Sequence, residues 1–160
     1  MHIGCFRHQI NVSAEYANTS KSDEAAAQAL AQLGHYRQAC YFLIQAIEKA
    51  IRSKIFTLVN PNLEYFREKN KSHSIESAVS FLIEIIATDE IIKAQVSKQI
   101  YEHVLGGTHY SRLHNNLRYP AYFKKYDSYS MLDLVEKDYD FLKQRLNNMR
   151  LFLSDIDRVA

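Results

Sequence analysis

Four glycines and two prolines are all the punctuation this 160-residue chain contains. They sit at Gly4, Gly34, Gly106, Gly107, Pro61 and Pro120, and the stretches between them are far longer than single strands. A β fold needs a turn signal every few residues, so the spacing favours helices. At this length one domain with a substantial core is expected.

Hydrophobic spacing places the helices. Residues 1–20 show no clear period and read as a tail or loosely attached segment, leaving 21–160 as the folded unit. Asp23 is a candidate N-cap for a first helical pattern that Gly34 bends. Tyr36, Ala39, Cys40, Leu43, Ala46, Ile47, Ala50 and Ile51 then recur at steps that share one helix face. This predicts a helix to about Phe56, ended by Pro61. Residues 63–73 form a polar connection with room for a short helical turn. Ser74 can cap a helix from Ile75 to about Ala87 that is apolar nearly all round and therefore buried. Asp89 can cap another, reaching Leu105, where the glycine pair stops it.

Residues 106–129 look irregular. After them Leu132, Val135, Tyr139, Leu142, Leu146, Met149, Leu153 and Ile156 form a heptad-like seam, with Ser130 and Asp133 in capping-box positions. The seam suits the core stripe of a last helix, and Leu134, Phe141 and Phe152 beside it suit a dimer contact. Together these features predict an all-α fold, an up-and-down bundle of four to five antiparallel helices.

A net charge of +2 does not mark the whole chain as a nucleic-acid binder, so that role must rest on local charge. The two cysteines, Cys5 and Cys40, supply neither a metal-ligand spacing nor a disulfide framework, and a reducing, cytoplasmic setting is expected. No apolar run approaches the length of a membrane span. The first residues lack the hydrophobic region of a signal peptide.

Local charge is uneven. Between Gly106 and Tyr126 there is no acidic residue, while Arg112, Arg118, Lys124 and Lys125 are joined by His109 and His114. Tyr110, Tyr119, Tyr122, Phe123 and Tyr126 are interleaved with them. Guanidinium forks match phosphate and aromatic faces stack on bases, so a phosphate-bearing ligand is chemically sensible. The alternative is a loop whose rings plug the bundle end while its charges are merely solvated. His109 and His114 miss the helical pair spacing and have no neighbouring carboxylate, so no metal is expected. On the first long helix, Gln45, Glu48, Lys49 and Arg52 read as a solvated edge with an ordinary ion pair, unless the 109–126 segment folds over it.

Three elements, in order, resemble the HEPN domains, a family of higher-eukaryote and prokaryote nucleotide-binding helical bundles. "GHYRQACYFLIQAIEKAIRSKIF" resembles their first core helix, "SHSIESAVSFL" their next helix, and "NNLRYPAYF" the Arg-Tyr-Pro element before their last. The resemblance implies a bundle, commonly a homodimer, that binds a nucleotide or RNA segment. It also implies a nucleotidyltransferase partner in a toxin–antitoxin or defence setting. Carried over by matching motif, the ligand-facing residues are Glu48, Lys49, His73, Arg118 and Tyr119. Arg118 would hold phosphate, Lys49 or His73 would support it, Tyr119 would stack, and Glu48 would accept from ribose or position Arg118.

The ribonuclease branch of that family places an arginine four to six residues before a histidine, just ahead of the final helix. Here Arg112 precedes His114 too closely, and no histidine follows Arg118; Arg67 and His73 have the spacing but lie in the first connection. A non-catalytic binding domain without cofactor is therefore the expectation, with a metal-independent ribonuclease using His73 or His114 beside a nearby arginine as one alternative. A homodimeric interaction module is another. "LGHYRQACYFLIQAIEKA" also looks like part of a tetratricopeptide repeat, but no second copy follows at the required period.

Overall fold

The computed structural model describes the backbone of residues 2–159, with side chains to Asp157. Among these residues are seven α-helices and one two-stranded hairpin, so the fold is an all-α bundle. The helices are α1 (Val12–Gln32), α2 (Tyr36–Leu58), α3 (Glu64–Lys69), α4 (Ile75–Ile86), α5 (Glu90–Gln99), α6 (Tyr110–Arg118) and α7 (Glu136–Val159). The hairpin pairs β1 (Ala121–Phe123) with β2 (Ser128–Ser130) in antiparallel register, Tyr122 opposite Tyr129.

The central element is α2, whose Leu43, Ile47, Ile51 and Ile55 are fully buried. Helix α1 runs back along it after a turn in which Gly34 takes φ 80°, a left-handed conformation that costs glycine little. Helix α7 follows α2 in the same sense. Arg37 donates to the Leu132 carbonyl just before α7, and Lys54 pairs with Asp157 near its far end. Leu146 and Met149 fill the seam between them. Phe56 meets Phe81 edge-on at 6.2 Å, fixing α4 against the same core. No helix among the described residues is long and apolar enough to cross a membrane.

Several local signals act as the sequence indicates. Ser74 accepts from the Ser77 amide at 3.0 Å and Ser77 reciprocates, so α4 begins with a full capping box. Asp89 caps α5 through the amides of Ile91 and Ile92. Cys40 is buried, and desolvation, reinforced by the charge of Asp138, pushes its thiol up to about 12, which makes it an inert core residue.

Three expectations need correction. The boundary at residue 20 is too late: α1 starts at Val12, with Asn11 as its N-cap, and Asp23 is mid-helix. Tyr16 stacks on Phe56, Ser13 bonds Ser53, and Ser20 donates to the Ala46 carbonyl at 2.7 Å. Small and hydroxylated residues let the two backbones approach closely, and such an interface has no large-apolar period to read. The stretch 106–129 is not irregular, for it holds α6 and the hairpin. Finally, Ser130 and Asp133 do not open α7. Ser130 is committed to β2, and the cap moves on to Asp138, which accepts from the Val135 amide at 2.8 Å. Leu132 and Val135 consequently lie outside the helix and are exposed.

Candidate functional site

A cleft of about 230 Å³ opens where α2, the start of α4 and α6 meet, and Glu48, His73, His114 and Arg118 all line it. Each wall follows from local sequence. On α2, Ile44, Glu48, Ile51 and Ile55 fall on one stripe, so Glu48 is carried inward and is only 6% exposed. One turn on, Arg52 is 1% exposed, and its Nε donates to Glu48 Oε1 at 2.9 Å. The edge expected to be solvated is thus a buried ion pair.

Burying a guanidinium is tolerable only when its donors are satisfied. Arg52 Nη1 donates to Asn70 Oδ1 at 2.7 Å and Nη2 to the Ser72 carbonyl. The Asn70 amide in turn donates to the Tyr16 hydroxyl at 2.9 Å. Arg52 therefore pins the 70–72 loop to α2. That loop leads directly into His73, which precedes the α4 cap. The His73 side chain is 74% exposed, and its Nδ1 lies 3.7 Å from Glu48 Oε1, too long for a hydrogen bond but within electrostatic reach.

The opposite wall is α6. Glu76 of α4 accepts from the Ser111 amide at 3.0 Å, and the Tyr110 hydroxyl donates to the Leu105 carbonyl at 2.7 Å, so the first turn of α6 is held from two sides. His114 stacks on Tyr41 with centroids 5.3 Å apart. Gln45 places its amide nitrogen 3.0 Å from His114 Nε2. An amide nitrogen only donates, so with Gln45 in this orientation Nε2 accepts and the ring proton sits on Nδ1. Burial lowers the His114 pKa, Arg118 lowers it further, and Glu48 opposes them.

Arg118 lies one turn beyond His114 on the same helix face. It is exposed, donates to Asn115 Oδ1 at 3.1 Å and lies over the Tyr119 ring at 5.2 Å. It has no carboxylate partner among the described residues. The charge of Glu48 is offset by Arg52, so the cleft presents an excess of positive charge and donors to an entering anion.

Two expected residues lie elsewhere. Lys49 does not line the cleft; it turns toward α1 and pairs with Asp23 at 2.6 Å. Tyr119 faces an adjoining pocket instead. Arg67 also stays outside. No group of three or more metal-ligating side chains occurs among the described residues.

Arg52 shapes the cleft although the sequence reads it only as half of an ordinary ion pair, whereas His114, expected both as a basic-segment donor and as a ribonuclease candidate, does line it, one turn from Arg118. Arg52 was readable as buried, because its partner Glu48 falls on the same stripe as Ile44, Ile51 and Ile55. No family model, curated protein or solved structure matches this chain.

Proposed function

We propose that the α2–α4–α6 cleft binds the phosphate of a nucleotide or RNA segment, and that the protein is a non-catalytic, HEPN-type cytoplasmic binding domain. One observation carries the reading. Arg118 opens, without a carboxylate partner, into the same cleft as His73 and His114, while the nearby acid is already paired with Arg52. An anion entering there meets a guanidinium fork and a donating imidazole, and displaces no existing ion pair. The sequence resemblance extends the proposal to a homodimer and to a nucleotidyltransferase partner in a toxin–antitoxin or defence setting. Sedimentation and copurification with such a partner test those extensions.

Thermal melting with added nucleotides and short RNA tests the cleft itself. Ligand that binds only the folded state raises the melting temperature with concentration. Wild type is expected to show that rise and Arg118→Ala to lose it. A flat response in wild type, or an undiminished rise in Arg118→Ala, would overturn the assignment.

A metal-independent ribonuclease is the second reading, favoured by the position of His73 at the cleft mouth beside Glu48. A carboxylate there steadies an imidazole that gains a proton during attack by a 2′-hydroxyl. His114 is unsuited to that step, because Gln45 occupies its lone pair. RNA cleavage that survives chelators and vanishes in His73→Ala would select this reading over simple binding.

A further inference from the structure

Beyond the cleft, a second pocket of about 220 Å³ opens between the end of α6 and the hairpin. The rings of Tyr119, Phe123 and Tyr126 line it, with Asn116 and Ser130 at its polar edge. All three rings are exposed to solvent, and among the described residues neither the Asn116 nor the Ser130 side chain has a hydrogen-bond partner. Its boundary with the cleft is the Arg118–Tyr119 stack, since Arg118 lines one cavity and Tyr119 the other.

The pocket is built by a specific clamp. Arg37 of α2 reaches across to donate to the Leu117 carbonyl at 3.0 Å, the Asn116 carbonyl at 3.3 Å and the Leu132 carbonyl. One guanidinium thereby ties the rim on α6 to the rim after β2. The hairpin adds its own rigidity. Tyr122 crosses Tyr129 edge-on at 5.5 Å and donates to Asp127, which occupies the left-handed turn position with φ 48°. Asp127 is thus engaged within the hairpin. Within the hairpin turn Lys124 has no ionic partner among the described residues, and Lys125 lies over Tyr126 at 5.4 Å.

We propose that this pocket takes a base of the nucleotide next to the one whose phosphate Arg118 holds, so that the ligand is a single-stranded polynucleotide and not a free mononucleotide. The inference rests on the cleft reading above. Exposed rings offer stacking faces that tolerate any base, and the free amide of Asn116 can pair with a base edge. Arg118 at the cleft and Lys124 in the hairpin turn, neither paired with a carboxylate among the described residues, can meet phosphates of such a chain. A protein partner would have to bring a carboxylate for each cation it buried, whereas a polynucleotide supplies one charge per residue.

The test is fluorescence anisotropy of the full chain with labelled oligo(U) and oligo(dT), alongside uridine monophosphate as competitor. Wild type is expected to bind the oligomers at least tenfold more tightly than the mononucleotide, with affinity falling as salt rises. Phe123→Ala/Tyr126→Ala should lose about tenfold or more in oligomer affinity, as removal of stacking rings does, while mononucleotide affinity stays within about twofold. Phe123→Leu/Tyr126→Leu keeps apolar volume without the rings and should behave alike, which separates stacking from hairpin damage. A preference for oligo(U) assigns the strand as RNA; equal binding leaves the site reading either backbone, and both agree with the proposal. If Arg118→Ala abolishes binding but the ring variants bind oligomer like wild type, the pocket assignment is wrong and the cleft reading stands. If wild type binds neither probe, both fail together. If the ring variants instead dissociate a wild-type dimer at unchanged oligomer affinity, the hairpin is a protein interface and the proposal is overturned.

Discussion

Arg52 lies behind one wall of the cleft and Arg118 lines the other, and their surroundings differ in kind. Arg52 is buried, ion-paired to Glu48 and bonded to the loop that carries His73. Arg118 is exposed, and among the described residues its polar and ring contacts are with the Asn115 amide oxygen and the Tyr119 ring. Every donor spent inside the molecule is one a ligand cannot use. The first arginine is therefore part of the scaffold, and the second is free for an incoming anion. The same division separates Arg37, engaged with three carbonyls, from Lys124 in the hairpin turn, which has no ionic partner among the described residues.

That contrast is breakable at its strong end first. Arg52→Ala leaves Glu48 buried without its partner and should cost about 3–5 kcal/mol in denaturant unfolding. Arg118→Ala should change stability by no more than about 0.5 kcal/mol, as exposed substitutions usually do. Equal losses for the two would erase the distinction. Arg37→Ala comes next, at about 1–3 kcal/mol for carbonyls left without their charged donor, and amide exchange should quicken in the hairpin while α4 keeps its protection. A hairpin that exchanges unchanged would mean that Arg37 does not organise the pocket.

A smaller effect concerns His114. Its folded pKa is depressed below the ordinary value of 6.5, so the unfolded chain binds the proton more readily. Stability linked to this residue is complete above about pH 6.5 and declines as pH falls toward the folded pKa. His114→Gln should flatten that part of the stability profile. Added phosphate or nucleotide that favours the protonated ring in the folded state should raise the folded pKa and so shrink the decline. An identical profile for wild type and His114→Gln would show that the ring is not desolvated as described.

How much was legible depended on how local each cause was. Ser74 and Asp89 start helices through their own neighbours' amides, and Pro120 holds Tyr119 extended and ends α6, so those boundaries could be read directly. The start of α1 could not, because Ser13, Ser20 and Ala27 become informative only against α2. Ser130 carries a capping signal and a strand role at once, and its pairing with Ala121 wins. Within the cleft, Glu48, His73 and Arg118 carried readable signals. Lys49, their neighbour in the pattern, turns the other way because one residue along a helix rotates the side chain by more than a quarter turn.

From order and spacing alone this chain specifies an all-α bundle, its buried stripe on α2, and an acid-free segment rich in arginine and rings after Gly107. Those properties arise from periodicity and from composition, which are local along the chain. Which cations stay free is decided only when the helices pack. Packing sets Arg52 against Glu48, Lys49 against Asp23 and Arg37 against the end of α6, and leaves Arg118 facing open space. Ion pairing depends on distance across the fold, and distance across the fold is the one quantity a linear pattern does not contain.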